Sequence, residues 1–260
     1  MEKTPTAVII GAGNAAWHLA GALRGKARIL TVCSRTSERA AEVAGRAGGC
    51  RHTDSLADIP VDADFYIIAV ADDAISAVAA AMPAVTGVVA HTSGSVPAST
   101  LSGVACRGYG SFYPLQTMTR GRELDMSHVP FFIEGSDDAT ASALRGLASR
   151  ISDSVHNADS GVRARLHLAA VVASNFGNAL LAEAGRILAD GQLPLSVLRP
   201  LMEETMAKAF DHGPLAAQTG PARRGDRAVM DRQQQALPPA VADIYRLMSN
   251  LIQDQQKCQK

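Results

Sequence analysis

The chain has 260 residues, more than one average domain, and is 47% hydrophobic, 19% charged and only 4% aromatic. That composition suits a packed Ala/Val/Leu core and excludes disorder or a base-stacking surface. Lys plus Arg and Asp plus Glu both number 25, a formal net charge of zero, so no global field draws the chain to nucleic acid or an anionic membrane.

From Thr6 to about His156 short β-branched runs alternate with Ala-rich amphipathic stretches, the pattern of βαβ units on a parallel sheet. Strands are predicted near residues 7–10, 29–33, 65–70, 88–91, 108–112 and 130–134, with helices over 15–24, 37–47 and 73–82. Beyond Ser160 the strand signal ends. Residues 163–190 read as one long Ala/Leu helix, further helices are predicted near 195–210 and 239–252, and a charged Gly-Pro loop spans 213–231. The expected fold is therefore α/β, a doubly wound, mostly parallel sheet over residues 1–157 followed by an all-α domain over 158–260. Cys33, Cys50, Cys106 and Cys258 lack disulfide-framework or metal-ligand spacing, which points to no metal site and to a cytoplasmic protein. Residues 1–6 show no secretory signal pattern, and no apolar run nears the roughly 18 residues of a membrane helix.

The strongest motif is Val8-Ile9-Ile10-Gly11-Ala12-Gly13-Asn14-Ala15-Ala16, a strand entering a helix through G-x-G-x-x-A. Gly11 permits the tight turn, Gly13 lets backbone approach a pyrophosphate, and Ala16 allows close helix–strand packing, while the helix N-terminus offers N–H groups to phosphate. Gly11, Gly13, Asn14 and Ala15 are the expected phosphate-side residues of a Rossmann dinucleotide site. The second strand ends at Cys33-Ser34-Arg35-Thr36 with no acid before Glu38. A carboxylate there would select NAD; Ser34, Arg35 and Thr36 instead suit the 2′-phosphate of NADP. Val70 and Ala71 at the next strand tip complete the cofactor set. Asp72 and Asp73 read as helix caps at least as readily as ligand contacts. The following tip, His91-Thr92-Ser93-Gly94-Ser95, offers hydroxyls and glycine-freed backbone, with Ser93 and Gly94 as substrate candidates.

GAGNAA, IIAVADDAI, HTSGS, SFYPLQT, HLAAVVASNF and TGPARRGD together resemble, over nearly the whole chain, the Rossmann-like proteins with a DUF2520 C-terminal domain. That group is similar to the ketopantoate and pyrroline-5-carboxylate reductases. The resemblance implies an NADP-dependent oxidoreductase with an all-helical second domain, homodimeric, acting on a small molecule. Hydride transfer to a carbonyl or imine needs a proton donor and orienting groups. At 100° per residue His167, Val171, Ser174 and Asn178 form one helix stripe with Asn175 on its flank. Relatives carry Lys-x-x-x-Asn on the corresponding helix. Here Val171 stands four residues before Asn175, so His167 is the expected donor, with Lys208 as a substitute, and Asn175 and Ser174 are orienting residues. In Gln218–Asp226, Arg223 is expected to bind a substrate carboxylate and Asp226 to hold that arginine. The expected reaction is hydride transfer between NADPH and a small carboxylated ketone, a ketopantoate-like 2-keto acid. Alternatives are an imine or pyrroline reductase, a prephenate-type dehydrogenase, or a non-catalytic dinucleotide sensor, the last opposed by the polar helix stripe.

Overall fold

The computed structural model describes residues 3–257; Cys258 lies outside them, and Cys33, Cys50 and Cys106 are free thiols. The strands are β1 Thr6–Ile10, β2 Arg28–Cys33, β3 Arg51–Thr53, β4 Phe65–Ile68, β5 Val88–His91, β6 Gly108–Pro114, β7 Phe131–Gly135 and β8 Val155–Asn157. They form one sheet in the order β3-β2-β1-β4-β5-β6-β7-β8. Only β6 and β7 pair antiparallel; the other neighbours are parallel.

Alternation along the strands divides the core into two layers. Ala7 and Ile9 of β1 and Ile67 of β4 face one layer, which also holds Leu19 and Leu23 of helix α1 (Asn14–Leu23), Val43 of α2 (Ser37–Arg46) and Leu144 of α4 (Asp138–Ala148). Val8, Ile10, Tyr66 and Ile68 face the other, with Ile75 and Ala79 of α3 (Ile75–Ala81) and Leu101. Because both faces are covered, β1 and β4 read as continuous apolar runs. Each such fully buried aliphatic side chain contributes about 1.5–3 kcal/mol. Strand order reverses direction between β1 and β4, so the carboxyl ends of β2, β1, β4 and β5 open one crevice at the switch point.

The strands predicted from sequence are present, and two more, β3 and β8, flank the sheet. Each has three residues, and Arg51, His52, His156 and Asn157 are exposed, so neither carries the apolar period that makes a strand legible.

The described chain divides into compact units 3–175 and 176–257, later than the expected boundary at 157/158. Helix α5 (Ser160–Ala170) stays with the sheet because Arg163, with no exposed surface, anchors it there. Val171–Phe176 then forms a π-helical segment before α6 (Gly177–Asp190). The predicted uninterrupted helix is therefore corrected. A π turn advances each residue by less than 100°, so the straight stripe from His167 through Ser174 to Asn178 is broken.

The second unit is helical throughout: α6, α7 (Arg199–His212), α8 (Pro214–Ala217), α9 (Pro221–Arg224), α10 (Arg227–Gln235) and α11 (Pro239–Lys257). The expected loop at 213–231 is mostly short helices, each of the first two opened by a proline. Gly213, Gly220 and Gly225, with φ of 84°, 100° and 74°, set the bends between them, which is why a Gly-Pro sequence reads as loop while its segments coil. No described helix is long and apolar enough to cross a membrane.

Glu134→Leu leaves the Arg163 guanidinium buried without its carboxylate. The unfolding free energy measured by urea titration is expected to fall by about 3 kcal/mol, the low end for breaking a buried pair because Glu134 keeps 23% exposure.

Candidate active site

The glycine turn follows directly from β1. Gly11 has φ of +121°, and a side chain there would overlap the Ala69 carbonyl at the end of β4, so the turn passes too close to β4 for any other residue. Gly13 has open space where a Cβ would stand, and α1 begins behind it with no side-chain cap on its N–H groups. Backbone and dipole are thus presented bare to an anion.

A cavity of about 1010 Å³ opens beside this turn. Gly11, Gly13, Asn14, Ala15, Ser34, Arg35, Thr36, Val70 and Ala71 all line it, so every residue expected for the cofactor is brought to one place. Arg39, from the first turn of α2, adds a second guanidinium beside Arg35; Asp54, beyond β3, and Asp73 are the carboxylates on the wall. Two arginines and two hydroxyls at the β2 tip are a donor set for a phosphate rather than for a ribose hydroxyl, so the residues present fit NADP.

A segment that sequence reading missed braces the outer side of the turn. Arg120 donates through its guanidinium to the Ala12 carbonyl and pairs with Glu42 at 2.5 Å, and its backbone N–H donates to Asn14 Oδ1 at 3.2 Å. His18, 4% exposed, donates from Nε2 to the Thr119 carbonyl at 3.0 Å. Trp17 lies beneath the Arg46 guanidinium at 4.2 Å from its ring centre, and Arg46 pairs with Glu123 at 2.5 Å. Nothing periodic in residues 115–124 signals this strap; only tertiary proximity reveals it.

At the β5 tip the turn His91–Ser95 is held from below. Arg163 donates from Nε to the Ser93 carbonyl at 3.1 Å, from Nη2 to the Val96 carbonyl at 2.6 Å, and from Nη1 to Glu134. Ser160 Oγ donates to Glu134 Oε2 at 2.7 Å and accepts from the Ala98 N–H at 3.1 Å. Ser93 Oγ is occupied within the turn, accepting from the N–H groups of Ser95 and Val96 at 3.1 and 3.0 Å. Asp72 accepts from Ser95 Oγ and makes no helix-cap hydrogen bond, so the capping reading of Asp72 gives way to a brace between the β4 and β5 tips.

Gly94 lets α5 come close: a Cβ there would stand 2.7 Å from His167 Nδ1 and 2.7 Å from Tyr113 Cζ. Tyr113, 8% exposed near the end of β6, and His167 share a hydrogen bond of 3.2 Å between Oη and Nδ1. Burial pushes the Tyr113 hydroxyl above its ordinary pKa. His167 and Gly94, predicted from distant parts of the sequence, therefore meet, with Tyr113 between them.

The other predictions fare differently. Ser174 and Asn175 sit in the π-helical segment and are exposed. In the second unit, Arg223 spends its Nη1 on the backbone carbonyls of Ala216, at 3.0 Å, and Gln218. Asp226 pairs with Arg224 at 3.0 Å rather than with Arg223. That assignment is corrected: the αL residue Gly225 turns the chain so that the carboxylate meets its nearer neighbour. Lys208 is half-buried on α7.

Comparison with known proteins agrees with this geometry. The model described as NADP oxidoreductase coenzyme F420-dependent matches residues 6–90, and that of the domain of unknown function DUF2520 matches 129–252. A Bacteroides fragilis protein assigned to the NADP oxidoreductases is 38% identical, with 96% of this chain and 98% of that one covered at a TM-score of 0.88. This chain belongs to the DUF2520 NADP oxidoreductases. As a member of that family it is an oxidoreductase that uses NADP, and the reading as a non-catalytic sensor falls away. A Thermotoga maritima protein is 22% identical over 97% of this chain and 99% of its own, with a TM-score of 0.73. A reductive aminase from Aspergillus terreus, solved with NADPH and ethyl levulinate, is 16% identical over 98% and 94%, with a TM-score of 0.71; at these identities both share the fold. No curated protein matches the sequence.

His91 gives this oxidoreductase an acid-sensitive fold. Its Nδ1 accepts from the Ser93 N–H at 3.2 Å and its Nε2 donates to the Pro97 carbonyl at 3.3 Å, so the ring is neutral. Burial, then the nearby Arg163, push it down to about 4. The unfolded chain takes up this proton near pH 6.5 and the folded one only near 4. Stability is therefore whole above 6.5 and falls as the pH drops through that window, by about 3 kcal/mol at its acid end. Urea midpoints between pH 7 and 4 are expected to fall less steeply in His91→Asn, whose amide oxygen replaces Nδ1 as acceptor.

Proposed function

We propose that the enzyme transfers a hydride from NADPH to a small carboxylated ketone, a ketopantoate-like 2-keto acid. The observation that carries this reading is the pairing of a phosphate-suited β2 tip with a proton-bearing cluster at β5 and β6 on the same sheet edge. Bound NADPH supplies the hydride. The chain's own residues do the rest: Gly11–Ala15 receive the pyrophosphate, Arg35 with Ser34 and Thr36 takes the 2′-phosphate, and Val70 and Ala71 flank the dinucleotide. Gly94 presents backbone to the substrate in the turn that Ser93 holds in place, Ser174 and Asn175 orient it, and His167 is the source of the proton. An imine in place of the ketone is the second reading, favoured by the fold shared with the reductive aminase; both substrates need the same hydride and proton.

We also infer that the protein works as a homodimer, and in a reducing cytoplasm, where Cys33, Cys50 and Cys106 stay thiols. Among the described residues of the second unit, Ala222 is the sole buried apolar side chain, while Leu201, Met206, Phe210, Ile244, Leu247 and Leu251 are exposed, Phe210 to 87%. A helical unit of that size without a core of its own needs its apolar faces covered, and a second copy supplies matching faces by symmetry.

Trp17 sits in α1 behind the glycine turn and reports cofactor binding. Its fluorescence is expected to be quenched by NADPH at concentrations about tenfold below those of NADH, a preference of about 1.4 kcal/mol. Arg35→Ala should erase that preference while leaving NADH binding unchanged. NADPH consumption on a panel of 2-keto acids and imines then separates the two substrate readings. Light scattering should return twice the 27.2 kDa chain mass, and Phe210→Arg should return a single one.

A further inference from the structure

Tyr113 meets the β5 turn at Gly94. It stands near the carboxyl end of β6, next to β5 in the sheet and paired with it in parallel register, on the side of the crevice away from Arg35. The sheet order places the β2, β1, β4, β5 and β6 tips in sequence. A dinucleotide held by its 2′-phosphate at β2 and its pyrophosphate at β1 would have the β4 and β5 tips next in line, and Tyr113 is on β6, the strand after them. Its hydroxyl is buried, bonded to His167 Nδ1 at 3.2 Å, and hemmed in by Gly94, which admits no side chain. His167 has its Nδ1 turned to Tyr113.

We propose that Tyr113 hands the proton to the reduced substrate and that His167 restores it; this rests on the reading of the enzyme as a carbonyl or imine reductase. When the substrate carbon accepts a hydride, the C=O or C=N π pair moves onto oxygen or nitrogen. That atom takes the phenolic proton of Tyr113: the tyrosine O–H bond breaks as the new O–H or N–H bond forms. The tyrosinate oxygen then takes the Nδ1 proton of His167 as solvent gives one to Nε2, and exchange with solvent resets the tautomer. One hydride and one proton are consumed for each substrate reduced. Tyr113 is thus a catalytic residue, and His167 is a positioning and relay residue acting through it.

The test uses the full-length enzyme with NADPH and the panel of 2-keto acids and imines. Tyr113→Phe is expected to lower kcat by about 10²-fold or more, with KM and the NADPH Kd from Trp17 fluorescence both within about twofold. The solvent deuterium isotope effect on kcat should rise, because proton delivery becomes limiting. His167→Gln should lower kcat less, since Tyr113 keeps one proton to give. Full kcat in Tyr113→Phe overturns the proposal, as does a loss confined to KM or to NADPH affinity, which would make Tyr113 a binding residue. A wild-type enzyme that reduces nothing on the panel sinks the substrate reading instead, and nitrogen-15 spectra of the histidines then decide the pair. The His167 Nδ1 resonance should shift between wild type and Tyr113→Phe while that of His91 stays; no shift at His167 overturns it.

Discussion

The buried guanidinium of Arg163 is the constraint on which the site end of this molecule depends. A charge without exposed surface persists only where it is paired and hydrogen-bonded, and Arg163 donates to the Ser93 and Val96 carbonyls, to Glu134 and to Ser160. Those partners come from the β5 turn, from β7 and from the start of α5. One side chain therefore fixes three elements with respect to each other and carries α5 into the sheet unit. Its position also determines where His167, one turn further along α5, stands against Gly94.

The opposite end of the crevice is built on backbone shape rather than charge. Gly11 takes a conformation that only glycine holds cheaply, against the Ala69 carbonyl, and Gly13 leaves open the space a phosphate would fill. Both glycines lose chain entropy on folding, which the dense layers around Ile9, Leu19 and Ile67 offset. Arg120 adds to this by tying residues 115–124 to the Ala12 carbonyl and Asn14, so the turn is held from outside as well as from the sheet.

Much of the fold was legible because its signals are local. The continuous apolar runs of β1 and β4, the G-x-G-x-x-A turn and the acid-free β2 tip each state their role within a few residues, and the structure gathers the residues read from them around one cavity. What was not legible depends on distant partners. Arg163 looks in sequence like one more surface arginine in a helix; its burial is decided by Glu134, 29 residues away. Arg120 carries no motif of its own. The π-helical segment at Val171–Phe176 was read as regular helix because its composition is that of one, and Asp226 was matched to Arg223 on spacing alone when the turn at Gly225 favours Arg224.

The charge distribution along the sheet edge explains why a tyrosine suits the β6 position. Arg35 and Arg39 put positive charge at the β2 tip, where a phosphate would neutralise it. Near β5 the buried arginine is already matched by Glu134, and the same arginine helps keep His91 neutral. A carboxylic acid in the place of Tyr113 would ionise at neutral pH unless strongly desolvated, and would then have no proton to give. A phenol keeps its proton there, and burial holds it more firmly still. That firmness would slow proton release unless a neighbour donated a hydrogen bond to the phenol oxygen as its proton leaves, and His167 Nδ1 is that neighbour. The anchoring of α5 by Arg163 thus becomes part of the chemistry: it is what brings an imidazole to a phenol that would otherwise be too weak an acid to use.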